Sequence, residues 1–240
     1  MQQTDYELLN YSRLEPFIVR IIICCITLRY YLHLQAQTGI APAAQQDTHR
    51  PSGYRLTIGT ILAQLIMTFA LILLSSIQEA LGYPTIQSAL HFSHTIDFVY
   101  RGIIEITCIT AILEELLFRG ILEKLLSKIT PIRPWITIMS AVAFSLMHCN
   151  MSNNLLYFAM GCFLSHLYHQ TKQIVYPIMA HGLHNLCATF ITYLTLDRRL
   201  DLAIGHLTIV TRTMLTIGSF LAVYGCIAYI LAGQKIQKYH

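Results

Sequence analysis

Two adjacent glutamates, Glu114 and Glu115, stand with Arg119 in the run EELLFRG, inside an otherwise apolar segment. A charge at that depth of a membrane helix costs about 2.5–3.5 kcal/mol on insertion scales. The chain has only 12 acidic residues in 240, yet it sets two of them side by side where solvation is poorest, which points to chemistry. Two further polar groups occupy similar settings: Phe144-Ser-Leu-Met-His148 and His181-Gly-Leu-His-Asn185. A carboxylate in a low-dielectric pocket makes a good general base toward water. An imidazole can orient that water or deliver a proton, and an asparagine amide can donate to an oxyanion. Such a set suffices for peptide-bond hydrolysis without a covalent intermediate. The same residue types suit a second chemistry, in which His148, His181 and Glu115 hold Zn²⁺ and Glu114 acts as base. The sequence has no HExxH, so the most specific metalloprotease signature is missing.

Helical phase sorts the roles within each cluster. Glu115 and Arg119 are four residues apart and can pair, each relieving the other's burial. Glu114 points about 100° away and is left to face the bundle interior. His181 and Asn185 share a face, with His184 one turn from His181 and off that face. Phe144 lies one turn before His148 and can wall the site. Glu105 and Arg101 read as an interhelical or local pair, and His166, His169 and His184 as packing residues.

For these groups to meet, the elements must bring them to one depth. No helix breaker follows Arg119 until Pro131, so the helix is expected to run to about residue 129 and turn back there. Glu114 lies 17 residues before Pro131 and His148 lies 17 after it. Antiparallel helices of equal rise place such positions level with one another. His181 enters from the next hairpin, centred near Lys172.

Composition says what surrounds these helices. The chain is 55% hydrophobic and 12% charged, with mean hydropathy +0.53, against about 25% charged residues in a soluble domain. The expectation is an all-α, polytopic transmembrane bundle of about 6–8 helices. Apolar stretches near spanning length occur at about 58–77, 98–118, 134–150, 154–171, 174–195 and 207–232. The stretch 17–34 is interrupted by Arg20 and Arg29 and either spans or lies along the interface. Residues 35–57 read as a polar linker carrying Pro42, Pro51 and Gly53. The domain reading is an N-terminal segment, 1–57, and a catalytic bundle, 58–240, with its motif core at about 98–195. Lys124, Lys128, Arg133, Lys172, Lys235 and Lys238 fall on one side if each stretch crosses once. The positive-inside rule makes that side, with the C-terminus, cytoplasmic.

Other classes are disfavoured. No basic stripe with interleaved aromatics suggests nucleic acid. Seven cysteines, an odd number without a CxxC, argue against a disulfide framework or a zinc ribbon. Residues 1–16 are polar and mildly acidic, so no cleavable signal peptide is expected.

The ordered motifs EExxxR, FxxxH and HxxxN across hydrophobic helices resemble the CAAX-protease and bacteriocin-processing family of intramembrane proteases. That group contains the type II CAAX prenyl endopeptidases and the Abi proteins. The resemblance covers about residues 98–195. It implies Glu114 as catalytic base, Glu115 with Arg119 as a supporting pair, His148 and His181 as positioners of water or metal, and Asn185 at the oxyanion. It implies a multi-pass protein of the cell (inner) membrane acting on a peptide or membrane-protein substrate, with prenylated CAAX-type proteins one class. Whether zinc takes part is left open. A rival reading is a non-catalytic immunity or abortive-infection protein that binds a peptide or toxin. A proton- or ion-coupled transporter ranks below both, because no broken-helix repeat is evident.

Overall fold

The computed structural model describes residues 4–37, 53–83, 95–148, 153–193, 204 and 206–236. Among them the chain is helical, with no strand, as the composition led us to expect. We label the long helices α1 (Thr4–Gln37) and α2 (Gly53–Ala80), α3 (95–129) and α4 (Arg133–Met147), α5 (Asn154–Thr171), α6 (Val175–Tyr193) and α7 (Ile209–Ile236).

The hairpin between α3 and α4 lies where the sequence placed it. Thr130 precedes Pro131, and the proline ring pushes the residue before it out of the helical region. Thr130 is accordingly extended, at φ −138° and ψ 134°, and α3 stops at Ile129. Ile132 is extended as well, and Pro134 in the first turn of α4 needs no amide partner there. The linker expectation is corrected at both ends. Helix α1 continues to Gln37 and α2 already begins at Gly53, while 38–52 lie outside the described residues.

Helix α3 is not a regular α-helix. It is π-helical over Phe98–Thr110 and Leu116–Leu122, with a short α segment, Ala111–Glu115, between them. The hydroxyls of Thr107 and Thr110 donate to the carbonyls of Gly102 and Glu105, at 2.8 and 3.0 Å. Each of those carbonyls lies five residues back. The glutamate pair thus occupies the single α turn between two widened stretches, a placement common at functional sites.

Between helices in lipid the hydrophobic effect supplies little, so close packing and polar contacts must hold the bundle. Small residues permit the closest approaches. A Cβ on Gly161 would lie 2.9 Å from the Ala141 Cα, so α4 and α5 touch backbone to backbone. A Cβ on Gly182 would lie 3.2 Å from the Thr107 carbonyl, which brings α6 onto α3. Helices α2, α5, α6 and α7 share a buried apolar cluster that includes Met67, Leu164, Leu167, Ala180 and Val223.

Three helices are long and apolar enough to cross a membrane by length and composition: Ile18–Ala36, Leu56–Ala80 and Ile209–Ala228. The first resolves the open question of the N-terminal stretch in favour of spanning length. The pairing expected for Glu105 is corrected in detail. Its partner is Arg20 of α1, at 2.6 Å, whereas Arg101 turns to Asp97 at 3.5 Å.

Candidate active site

Three helices deliver the polar clusters to one place. Glu115 and Arg119 are both 0% exposed, and Arg119 Nη1 donates to Glu115 Oε1 at 3.0 Å. The second guanidinium nitrogen, Nη2, donates to the Gly161 carbonyl at 2.9 Å. The ring of Phe144 lies against the same group, 5.1 Å from its carbon. The pair read from the sequence is therefore real, and it is anchored to α5 as well.

Across from it, His181 Nδ1 lies 2.8 Å from Glu115 Oε1. With Glu115 ionised beside Arg119, Nδ1 carries the hydrogen and donates it. In the neutral ring Nε2 then presents a lone pair. His148 follows the same logic: its Nδ1 is 2.8 Å from the Phe144 carbonyl, which only accepts, so its Nε2 is the lone-pair nitrogen. Tyr157 stacks on the His148 ring, centroids 4.0 Å apart and planes 20° from parallel, and holds its tilt.

Both Nε2 atoms face Glu114. Glu114 Oε2 lies 3.8 Å from His181 Nε2 and 3.9 Å from His148 Nε2. That atom is buried and has no hydrogen-bond partner among the described residues. Three acceptors therefore converge at separations too long for direct hydrogen bonds and suited to a bridging water that donates to Glu114 and to one of the two imidazoles. The two neighbouring glutamates are thereby divided, one locked in an ion pair and the other open to the site.

One expectation changes. The metal set of His148, His181 and Glu115 is not assembled: Glu115 Oε1 binds Arg119 and His181 Nδ1, whereas His181 Nε2 faces Glu114. Among the described residues no three His, Cys, Asp or Glu groups are arranged to hold a metal ion. The 3.8–3.9 Å separations around Glu114 also exceed the roughly 3.4 Å between two ligands on one tetrahedral zinc. The residues as placed do not form a tetrahedral zinc site. Asn185, expected at an oxyanion, donates through Nδ2 to the Ile106 carbonyl at 3.1 Å. It does share the α3-facing side of α6 with His181, as its spacing implied.

His184 turns away from the site toward α2, where its Nδ1 is 3.2 Å from the Thr68 hydroxyl. Sequence reasoning missed Tyr157 and the Gly161 carbonyl. Nothing in the sequence marks a backbone acceptor, and an aromatic stack between helices has no fixed spacing.

A family model described as type II CAAX prenyl endopeptidase Rce1-like matches residues 63–187, more than half of the chain and every site residue named above. The "Putative membrane peptidase YdiL" of Bacillus subtilis (strain 168) is 37% identical over 86 residues. The match takes in 36% of this chain and 34% of that protein, so the chain spans about a third of the length of the curated relative it matches. No solved structure matches significantly. With EExxxR, FxxxH and HxxxN folded into one buried cluster inside the matched stretch, the chain belongs to the Rce1-like family of type II CAAX prenyl endopeptidases.

Proposed function

We propose that this protein is an intramembrane endopeptidase in which Glu114 activates water. The observation that carries the reading is the unpartnered, buried Oε2 of Glu114, faced by two imidazole Nε2 atoms at 3.8 and 3.9 Å. A water bound there loses a proton to Glu114 as its oxygen attacks the scissile carbonyl carbon. When the tetrahedral intermediate collapses the C–N bond breaks, and Glu114 returns the proton to the leaving nitrogen. The water's other hydrogen is accepted by Nε2 of His148 or of His181, which orients it. Asn185 has a second amide hydrogen beyond the one given to Ile106, and that hydrogen is the candidate oxyanion donor.

The substrate class we propose is a prenylated, CAAX-type protein C-terminus. Its support is the description of the matching family. The end of α3 and the hairpin after it, which carry Lys124, Lys128 and Arg133, are proposed to face the cytoplasm together with the C-terminus.

The test is cleavage of prenylated and unprenylated peptides by the purified wild type and by Glu114→Gln, with new termini read by mass spectrometry. Glu114→Gln is expected to lower turnover by about 10²–10⁴-fold, as loss of a general base does, with folding unchanged. Normal turnover by that variant would end the glutamate mechanism. Cleavage of unprenylated peptides alone would end the CAAX assignment.

A further inference from the structure

The Glu115–Arg119 pair continues along α3 into a second buried cluster that the proposed mechanism does not use. Arg119 Nε lies 3.8 Å from Glu123 Oε1, and Glu123 Oε2 lies 3.2 Å from His169 Nε2 on α5. The side chains of Arg119 and Glu123 are 0% and 2% exposed. Neither oxygen of Glu123 has an aligned hydrogen bond, and neither does His169 Nε2. Two carboxylates, Glu115 and Glu123, therefore flank one buried guanidinium. A buried carboxylate without its own counter-charge is strongly unfavourable, so Glu123 competes with Glu115 for Arg119 unless His169 supplies the second positive charge.

We propose that the His169–Glu123 pair keeps Arg119 committed to Glu115, and through Glu115 fixes the orientation of His181. Both are positioning residues, and neither touches substrate. The proposal rests on the endopeptidase reading for its catalytic consequence, but its structural part stands by itself. With His169 beside it, Glu123 has its own partner and Arg119 Nη1 belongs to Glu115. Without that partner the guanidinium is drawn toward Glu123, and the acceptor that holds His181 Nδ1 loses its anchor.

The other groups around His169 act more weakly. His166 is on its own helix, where the two rings repel each other's charge. Tyr168 lies beside it, ring centroids 5.9 Å apart. Lys172, at the end of α5, feels Arg133 of α4 and Glu123. Lys124 of α3 turns its ammonium away, over the Tyr31 ring of α1 at 4.6 Å. Glu123 is the only one of these within ion-pair distance of His169 among the described residues.

The experiment is a double-variant cycle with two readouts: kcat and KM on the peptide the wild type cleaves, and the ¹⁵N resonances of labelled His181. His169→Gln should lower kcat about tenfold, in the range typical for partners that orient a functional histidine, with KM unchanged and the His181 Nδ1 resonance shifted. Glu123→Gln/His169→Gln should restore both, because the competing charge is gone. His169→Lys, which keeps a cation beside Glu123, should keep both activity and the His181 resonance. A double variant no better than His169→Gln would overturn the proposal, and so would an unmoved His181 resonance in His169→Gln. If His169→Gln does not fold, a shifted His181 resonance in a folded His169→Lys overturns it instead. If the wild type cleaves nothing, the endopeptidase reading fails while the His181 resonance still decides the clamp.

Discussion

Helices α1, α2 and α7 differ in kind from α3, α4, α5 and α6. The first group passes a simple test of length and apolarity for crossing a membrane, with mean hydropathy of 1.3, 2.2 and 1.4 over the qualifying stretches. The helices that carry the site do not pass it, α4 because it is only 15 residues long. For the others the difference is one of neighbours. Side chains of α7 such as Met214, Leu221 and Tyr224 are exposed on the bundle and meet lipid, so only an apolar sequence is tolerated there. The site helices face one another, and polar groups are admitted wherever a partner is supplied. Helix α2 does both. Its stretch is 56% buried, against 6% for α1 and 11% for α7, and it turns Gln64 and Thr68 inward toward His184. Apolarity therefore does not by itself separate outward-facing from interior helices, since the most apolar stretch is also the most buried; partnered polar groups mark the functional interior.

Substitutions can break or sharpen this contrast. The largest effect is expected for Arg119→Leu, which makes α3 more apolar by any scale. It leaves Glu115 and Glu123 buried without their cation and should cost about 3–5 kcal/mol, measured as unfolding in detergent followed by circular dichroism. A variant as stable as wild type would show that the interior tolerates unpaired charge. Next comes Gly161→Val. Its Cβ would meet Ala141 Cα at 2.9 Å, so α4 and α5 must separate at about 1–3 kcal/mol. That separation also drags the carbonyl from Arg119, so activity should fall further than stability alone accounts for. The smallest effect belongs to the lipid-facing group: Leu221→Ala should stay within about 0.5 kcal/mol and leave cleavage rates unchanged. A larger loss there would mean that α7 has a partner on its outer face.

Much of the site was legible from spacing because helices convert sequence distance into direction. The i, i+4 step made Glu115 and Arg119 a pair, and the adjacent position left Glu114 open. Equal counts on either side of Pro131 put Glu114 and His148 level. What spacing could not supply was lateral contact. Glu105 had a plausible partner one turn away in Arg101, yet Arg20 of α1 takes it. His169 read as packing because its partner, Glu123, is 46 positions distant. Glu123 itself continues the Glu115–Arg119 ladder by another four residues, a spacing that by itself does not tell a buried ladder from a solvated one. Asn185 was placed on the right face, but its bond to Ile106 needs the irregular backbone of α3, which no periodicity announces.

That irregular backbone also carries slack. A π-helical turn holds more chain than an α turn of the same handedness, so the stretch 98–110 stores length that a tighter winding would release. Loss of one residue there can be absorbed by rewinding into α geometry, with Glu114 held in place by the helices around it. The shorter stretch 116–122 has no such freedom, because it sets the angle between Glu115 and Arg119. One residue removed between them swings the guanidinium off its carboxylate. Drift in chain length is therefore tolerable before the glutamate pair and ruinous just after it, although both segments belong to the same helix.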